Sequence, residues 1–292
     1  MSDMDDQRAQ NRKMVAYGAG LVVVIAAAAG TWAWMHRKPE PQPVITPPVE
    51  AATPAPTEAP VATIEHPVEP EADAAAQPLP ALAQSDGGVA EALRGVIGAP
   101  AVEKWLVPDE VVRRFVASID NLPRNVPLEK RRPLRAPTEP FVVDRTSVDA
   151  AAGTERITLS ARNAGRYDSA VALFTETDPQ MLAALYRRWY PLLQQAYEDL
   201  GYPDRYFNDR MVAVIDDMLR APDVRDPIVL VQPKVLYQFE DPKLEQLSSG
   251  QKLLLRMGPA HATAVKARLR ELRALITAQA ARTPAARTPA AN

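Results

Sequence analysis

The chain has 292 residues, with 34 Lys and Arg against 36 Asp and Glu, 29 Pro, 12 Gly, three His and no Cys. It therefore has no disulfide, thiolate zinc site, iron–sulfur cluster or cysteine nucleophile, and His36, His66 and His261 are too few for a histidine-rich metal centre. The net charge of −2 averages over segments of different composition and describes none of them.

Residues 1–13 are a polar N-terminal tail. Met14 to Met35 reads MVAYGAGLVVVIAAAAGTWAWM and contains no Asp, Glu, Lys or Arg. A helix of about 20 apolar residues spans the hydrocarbon core of a bilayer. Arg8, Arg12 and Lys13 precede the segment, and His36, Arg37 and Lys38 follow it. Trp32 and Trp34 lie near its end, where indoles favour the headgroup region. The pattern predicts an uncleaved single-pass transmembrane helix over 14–35. The competing reading is a cleaved signal peptide ending in AAAAGTWA, against which the following basic cluster argues. Three Lys/Arg before the span and two after favour an inside N-terminus, with the C-terminal bulk outside the cytoplasm.

Residues 36–84 read as a Pro/Ala/Glu-rich disordered linker. Between Pro39 and Pro80 there are 12 Pro and seven carboxylates but no Lys or Arg. Such a stretch buries too little apolar surface to offset the entropy of ordering. Its prolines stiffen it toward polyproline II at ~3.1 Å per residue, a reach of about 130 Å. A spacer is the expected role, and a proline-motif ligand the alternative. The C-terminal tail, 279–292, repeats ARTPA and is also expected to be disordered.

Between them, 85–278 reads as one globular domain, long enough to bury a proper core. Val89 to Ile97 is a short helix. A stronger helix starts near Val107-Pro108-Asp109 and runs to Asp120, with Val111, Val112, Phe115, Val116 and Ile119 on its apolar face. A Pro-punctuated loop follows. Phe141 to Val143 and Arg156 to Leu159 read as two strands. Arg166 to Thr175 reads as helix. Asp178-Pro179 is a helix start, and that helix runs to Leu200, closed by Gly201 and kinked at Pro191. Tyr206 to Arg220 is the next helix. Ile228 to Val231 and Val235 to Phe239 predict a hairpin around Gln232-Pro233-Lys234. Asp241-Pro242 opens another helical stretch, broken near Ser248 to Gly250. Gly258-Pro259 starts a last basic helix to Ala278. The expected class is α+β, predominantly α-helical, with two small hairpin-like elements.

The stretches LVPDEVVRRFVASIDNLPR, LYRRWYPLLQQAYEDLGYPDRYFNDR, VIDDML, PIVLVQPKVLYQFEDPKLEQLSSGQKLLLRMGP and VKARLRELR resemble an uncharacterised bacterial family catalogued as domain of unknown function 3014. The resemblance runs from Leu79 to Ile276. It implies the same layout of N-terminal anchor, Pro/Ala-rich linker and domain, and supplies no catalytic residues. With the anchor, it implies a bacterial inner-membrane protein with a periplasmic domain.

No motif in the domain calls for a cofactor or a metal, and no residue is assigned as catalytic. His261 alone in the domain could serve a Ser-His-Asp triad, and it reads as a solvated helix residue. Ser249-Gly250-Gln251-Lys252 matches S-x-x-K, but the accompanying K-T-G is absent and Lys252 reads as exposed on an amphipathic helix. Asp204 and Asp209 flank Tyr206-Phe207, a carboxylate–aromatic arrangement that could meet a sugar. Asp120-Asn121 and Asn208-Asp209-Arg210 border apolar helices, where caps and interhelical ion pairs are the ordinary account. Arg124 to Arg135 holds five basic residues, and Lys252 to Arg273 six, which could share a positive face. The candidate binding residues are Arg124, Lys130, Arg131, Arg132, Asp204, Tyr206, Asn208, Asp209 and Arg210. These readings lean away from an enzyme and toward a membrane-tethered interaction or scaffold module with an envelope protein partner. The alternative is a peptidoglycan- or glycan-binding module, or a carboxylate-dependent glycan-active enzyme. An anionic polymer is a further possible ligand. The near-neutral domain and its expected location disfavour nucleic acid.

Overall fold

The computed structural model describes residues 64–68, 78–126, 132–149, 154–225 and 227–278. The membrane helix expected over 14–35, most of the linker and the tail from 279 lie outside these residues, as do Lys130 and Arg131. Among the described residues no helix is long and apolar enough to cross a membrane.

The domain is mostly helical and carries one small antiparallel sheet. A 3₁₀ turn at Leu82–Gln84 leads into α1 (Asp86–Ile97) and α2 (Ala99–Trp105). Gly98, at φ 83°, turns the chain between them, and Pro100 sits in the first turn of α2. Helix α3 (Val111–Asn121) begins two residues later than the Asp109 signal suggests. Its first amides are held from a distance: Asp86 accepts from Glu110 N at 2.9 Å and Val111 N at 2.8 Å. Glu110 takes up the left-handed conformation that brings those amides around.

Strands β1 (Val143–Asp149) and β2 (Thr154–Leu159) pair with Val143 opposite Leu159. Helix α4 (Asp168–Glu176) follows a 3₁₀ segment, Ala161–Tyr167, which takes in Arg166 and Tyr167 of the helix expected over 166–175. Helix α5 (Pro179–Asp199) is capped by Asp178, which accepts from Gln180 N, and continues through Pro191. Helix α6 (Phe207–Leu219) leads to β3 (Val229–Val231) and β4 (Gln238–Phe239). The two expected hairpins are joined: Ile157 of β2 pairs with Leu230 of β3, giving a four-stranded sheet in the order β1-β2-β3-β4. Strand β4 is only two residues long, and Val235 and Leu236, expected to lie in it, are exposed in the loop. Helix α7 (Pro242–Glu245) is one turn, after which α8 (Ser249–Met257) and α9 (Pro259–Thr277) close the domain.

The helices surround one core, with Val116, Phe207, Val214, Met218, Met257, Val265 and Leu269 fully enclosed. The sheet has a smaller core of its own, in which Leu230 and Phe239 pack on Leu255 of α8. The N-terminus of α8 meets the end of α3: Ser249 N donates to Arg124 O at 2.8 Å and Gly250 N to Leu122 O at 3.0 Å. One helix's unsatisfied amides thus satisfy the carbonyls that follow another's last turn.

Candidate functional site

The first turn of α6 lies against α5 and the end of α9, and there the chain presents a polar cluster at the edge of an apolar core. Gln194 of α5 accepts from Phe207 N at 2.8 Å, and the Tyr190 hydroxyl from Asn208 N at 3.1 Å. These bonds serve amides that helix geometry leaves without partners. Asn208 is fully buried. Its Oδ1 accepts from the Tyr186 hydroxyl at 2.9 Å, and its Nδ2 donates to Ile276 O at 3.2 Å.

The second proton of that Nδ2 goes to the linker. Asn208 Nδ2 donates to His66 O at 2.9 Å. Asp209 accepts from His66 N at 2.7 Å and from Glu65 N at 3.2 Å, and the Tyr206 hydroxyl accepts from Val68 N at 2.8 Å. Val68 packs on the helical core, while Ile64 stays half exposed. Residues 64–68 therefore depart from the spacer expected over 36–84. The physical reason is specific: a buried amide with an unmet donor, a carboxylate at a helix N-terminus and the Tyr206 hydroxyl offer this short piece of main chain four hydrogen bonds. Composition carries no sign of that.

Three of the candidate residues, Tyr206, Asn208 and Asp209, come together in this cleft. Arg210 and Arg124 belong to a neighbouring network around Asp120, which is buried. Arg124 reaches Asp120 Oδ2 at 2.6 Å and Arg210 Nε reaches Oδ1 at 2.9 Å, while Arg210 also donates to the Asp120 carbonyl. Tyr202 donates its hydroxyl to Asp120 at 3.3 Å and stacks on Tyr197. Asp204 is exposed in the turn before α6, away from this network, and Arg132 lies in the loop before β1.

The aromatic side chains are interior. Tyr190 packs edge-on to Tyr186 and against Tyr206, and Phe207 contacts Tyr197 and Phe115. Burial raises the Tyr186 phenol well above its ordinary range, helped by Tyr206 and Asp209 nearby, and raises Tyr190 in the same direction. The rings are thus occupied as core, and Asp209, one of the two carboxylates weighed for glycan chemistry, is spent on linker amides.

The S-x-x-K pair is divided. Ser249 Oγ donates to Val126 O at 2.8 Å, and Lys252 Nζ donates to Glu245 Oε1 at 2.6 Å and Asn125 Oδ1 at 3.0 Å. Lys252 is buried rather than exposed, and burial lowers its pKa against the opposing pull of Glu245. His261 lies between Met257 O, at 3.1 Å from Nδ1, and Asp168, at 3.1 Å from Nε2. The basic run Lys252 to Arg273 is drawn into ion pairs: Lys266 with Asp223, Arg268 with Glu271 and Arg273 with Asp216. Among the described residues no group of three or more His, Asp or Glu could hold a metal ion.

Comparison with known proteins returns one family. The model described as "Protein of unknown function (DUF3014)" matches residues 111–273, more than half of the chain and everything from α3 to within α9. No curated protein and no solved structure matches.

Proposed function

The chain belongs to the DUF3014 family, whose description assigns no activity, and from its geometry we propose a tethered interaction module that recognises the main chain of an extended peptide. The observation that carries this is the grip of Tyr206, Asn208 and Asp209 on the backbone of Glu65 to Val68. Main-chain recognition by fixed side chains is a protein-binding chemistry, and it leaves the peptide's own side chains to set specificity. In this reading the uncharged segment 14–35 holds the protein in the bacterial inner membrane. The linker carries the domain on the periplasmic side, and the partner is an envelope protein that presents a segment resembling Ile64 to Val68. The cis segment is then a tethered competitor, at high effective concentration because fewer than a dozen residues join it to the domain.

The test uses the full chain with residues 64–68 replaced by glycine and serine, titrated with a fluorescent peptide of sequence 62–70. Saturable binding that the Asn208→Ala variant lacks is the expected result. Absence of binding to a folded, linker-substituted chain would overturn the proposal. Binding of glycan fragments instead would restore the carbohydrate reading.

A further inference from the structure

The four bonds that seat Glu65 to Val68 are not indifferent to sequence. Asp209 takes one amide on each oxygen, Glu65 N on Oδ2 at 3.2 Å and His66 N on Oδ1 at 2.7 Å. A proline at either position removes the donor. His66 O, which accepts from Asn208 at 2.9 Å, is present whatever the residue. Pro67 has no N–H to place. Its ring fixes its own φ and keeps His66 extended, so the segment reaches the cleft partly ordered. Val68 donates its amide to the Tyr206 hydroxyl at 2.8 Å and packs its side chain on the helical core. Ile64 and Glu65, by contrast, are exposed. The cleft thus reads two residues that keep their amides, then Pro, then Val.

The linker repeats the end of this pattern. Between Pro39 and Pro80 there are four valines, Val44, Val49, Val61 and Val68, and each directly follows a proline. No other Pro-Val step occurs in the chain. The two bonds to Asp209 sort these steps. In Pro41-Gln42-Pro43-Val44 the first amide is missing, and in Thr46-Pro47-Pro48-Val49 the second. Glu58-Ala59-Pro60-Val61 keeps both, and it shares its first residue type with Glu65-His66-Pro67-Val68. Ala59 stands where His66 does, and the bonds of His66 to Asn208 and Asp209 are main-chain bonds.

We propose that the cleft selects two non-proline residues followed by Pro-Val, and that Glu58 to Val61, outside the described residues, is a second segment of this chain that it accepts. The inference rests on the reading of the cleft as a peptide site and adds its specificity. A partner segment of this pattern then competes with two segments in cis rather than one.

The test uses the full chain with both 58–61 and 64–68 replaced by glycine and serine. It is titrated with fluorescent peptides 62–70, 55–63, 38–46 and 43–51, which all carry their valine at the same position. Peptide 55–63 should bind within about threefold of 62–70. Peptide 38–46, which lacks the exposed first amide, should bind about fivefold more weakly, and 43–51, which lacks the shorter bond to the carboxylate, about thirtyfold. Val68→Ser in peptide 62–70 should weaken it about tenfold. Equal binding of all four peptides, undiminished binding with Val68→Ser, or failure of 55–63 where 62–70 binds overturns the pattern and leaves the peptide site standing. Failure of 62–70 itself, on a chain whose protease resistance shows it folded, overturns both. When 64–68 alone is replaced, hydrogen exchange at Glu58 and Ala59 should slow, and Asp209→Ala should abolish the slowing. Exchange that does not slow overturns Glu58 to Val61 as a second segment.

Discussion

Asp120 is the residue whose environment is most demanding. It is buried with a charge, and two arginines and a tyrosine hydroxyl compensate it. Removing one partner of such a cluster leaves part of the carboxylate's desolvation unmet, and breaking a buried pair costs about 3–5 kcal/mol. Arg210 is the more enclosed of the two arginines, so Arg210→Ala should cost about 3 kcal/mol, and Arg124→Ala, at an exposed position, clearly less. Urea unfolding of the full chain at neutral pH measures both. The buried phenols make a separate prediction about pH. In the unfolded chain tyrosines ionise near pH ~10, while in the fold burial holds Tyr186 and Tyr190 protonated above that. Their folded pKa values are raised, so the stability they contribute is complete below the unfolded value and is lost as pH rises past it. Unfolding free energy should therefore decline above pH ~10, and the decline should be shallower in Tyr186→Phe. Denaturation curves taken between neutral and strongly alkaline pH decide it, and an equally steep decline in the variant would refute the assignment.

At the scale of the element, α8 begins in close contact with α6 and with the residues that follow α3. Gly250 lies where a Cβ would stand 3.0 Å from Met218 Cγ and 3.5 Å from Leu122 Cδ2. Gly250→Ala should therefore lose more through overpacking than it gains in helix propensity, with a net cost of about 1–2 kcal/mol by calorimetry or urea midpoint. The cap beside it is reciprocal: Ser248 Oγ accepts from Gln251 N, Gln251 Oε1 accepts from Ser248 N, and Ser248 also donates to Asp217. These elements show what could be read from the residues. Helix α5 was legible at both ends, because Asp178-Pro179 and Gly201 are local signals and its apolar stripe is long. Pro191 lies inside it without ending it, and α3, α6 and α9 pack along its length. Helix α2 was missed: its seven residues are too few to show a period, and its start depends on a positive φ at Gly98. The fusion of two hairpins into one sheet was equally hidden. It depends on Ile157 meeting Leu230 across more than seventy residues, and pairing at that separation leaves no local mark.

For the whole molecule, the consequence of the docked linker is geometric. The sequence pointed to Asn208 and Asp209 as polar groups bordering apolar helices and to Tyr206 as an aromatic flanked by carboxylates, and it could not show that their partner is the chain's own main chain. Four of the bonds run between residues more than 130 positions apart, and no periodicity encodes such a pairing. If 14–35 anchors the chain, as its composition predicts, the working tether ends at Ile64 while the segment is seated and near Pro78 when it is released. On the polyproline expectation of ~3.1 Å per residue, release would add about 40 Å to that tether's reach. The strength of the latch resides in Asn208, because its buried Nδ2 loses a partner when the segment leaves, at a cost of about 1–3 kcal/mol that opposes release. Asn208→Ala removes that opposition along with the hydrogen bonds to Tyr186 and Ile276, whereas Asp209→Ala removes only the linker-facing carboxylate among these contacts. Asp209→Ala is therefore the cleaner variant. In the full chain reconstituted in nanodiscs, a donor dye on the exposed Lys234 loop and an acceptor in the bilayer should show a longer mean separation in Asp209→Ala. Hydrogen exchange at Glu65 and His66 should quicken in parallel, because their amides are the ones Asp209 holds. Unchanged exchange at these two amides would show that the carboxylate does not hold the linker in solution, and the change in reach would fail with it.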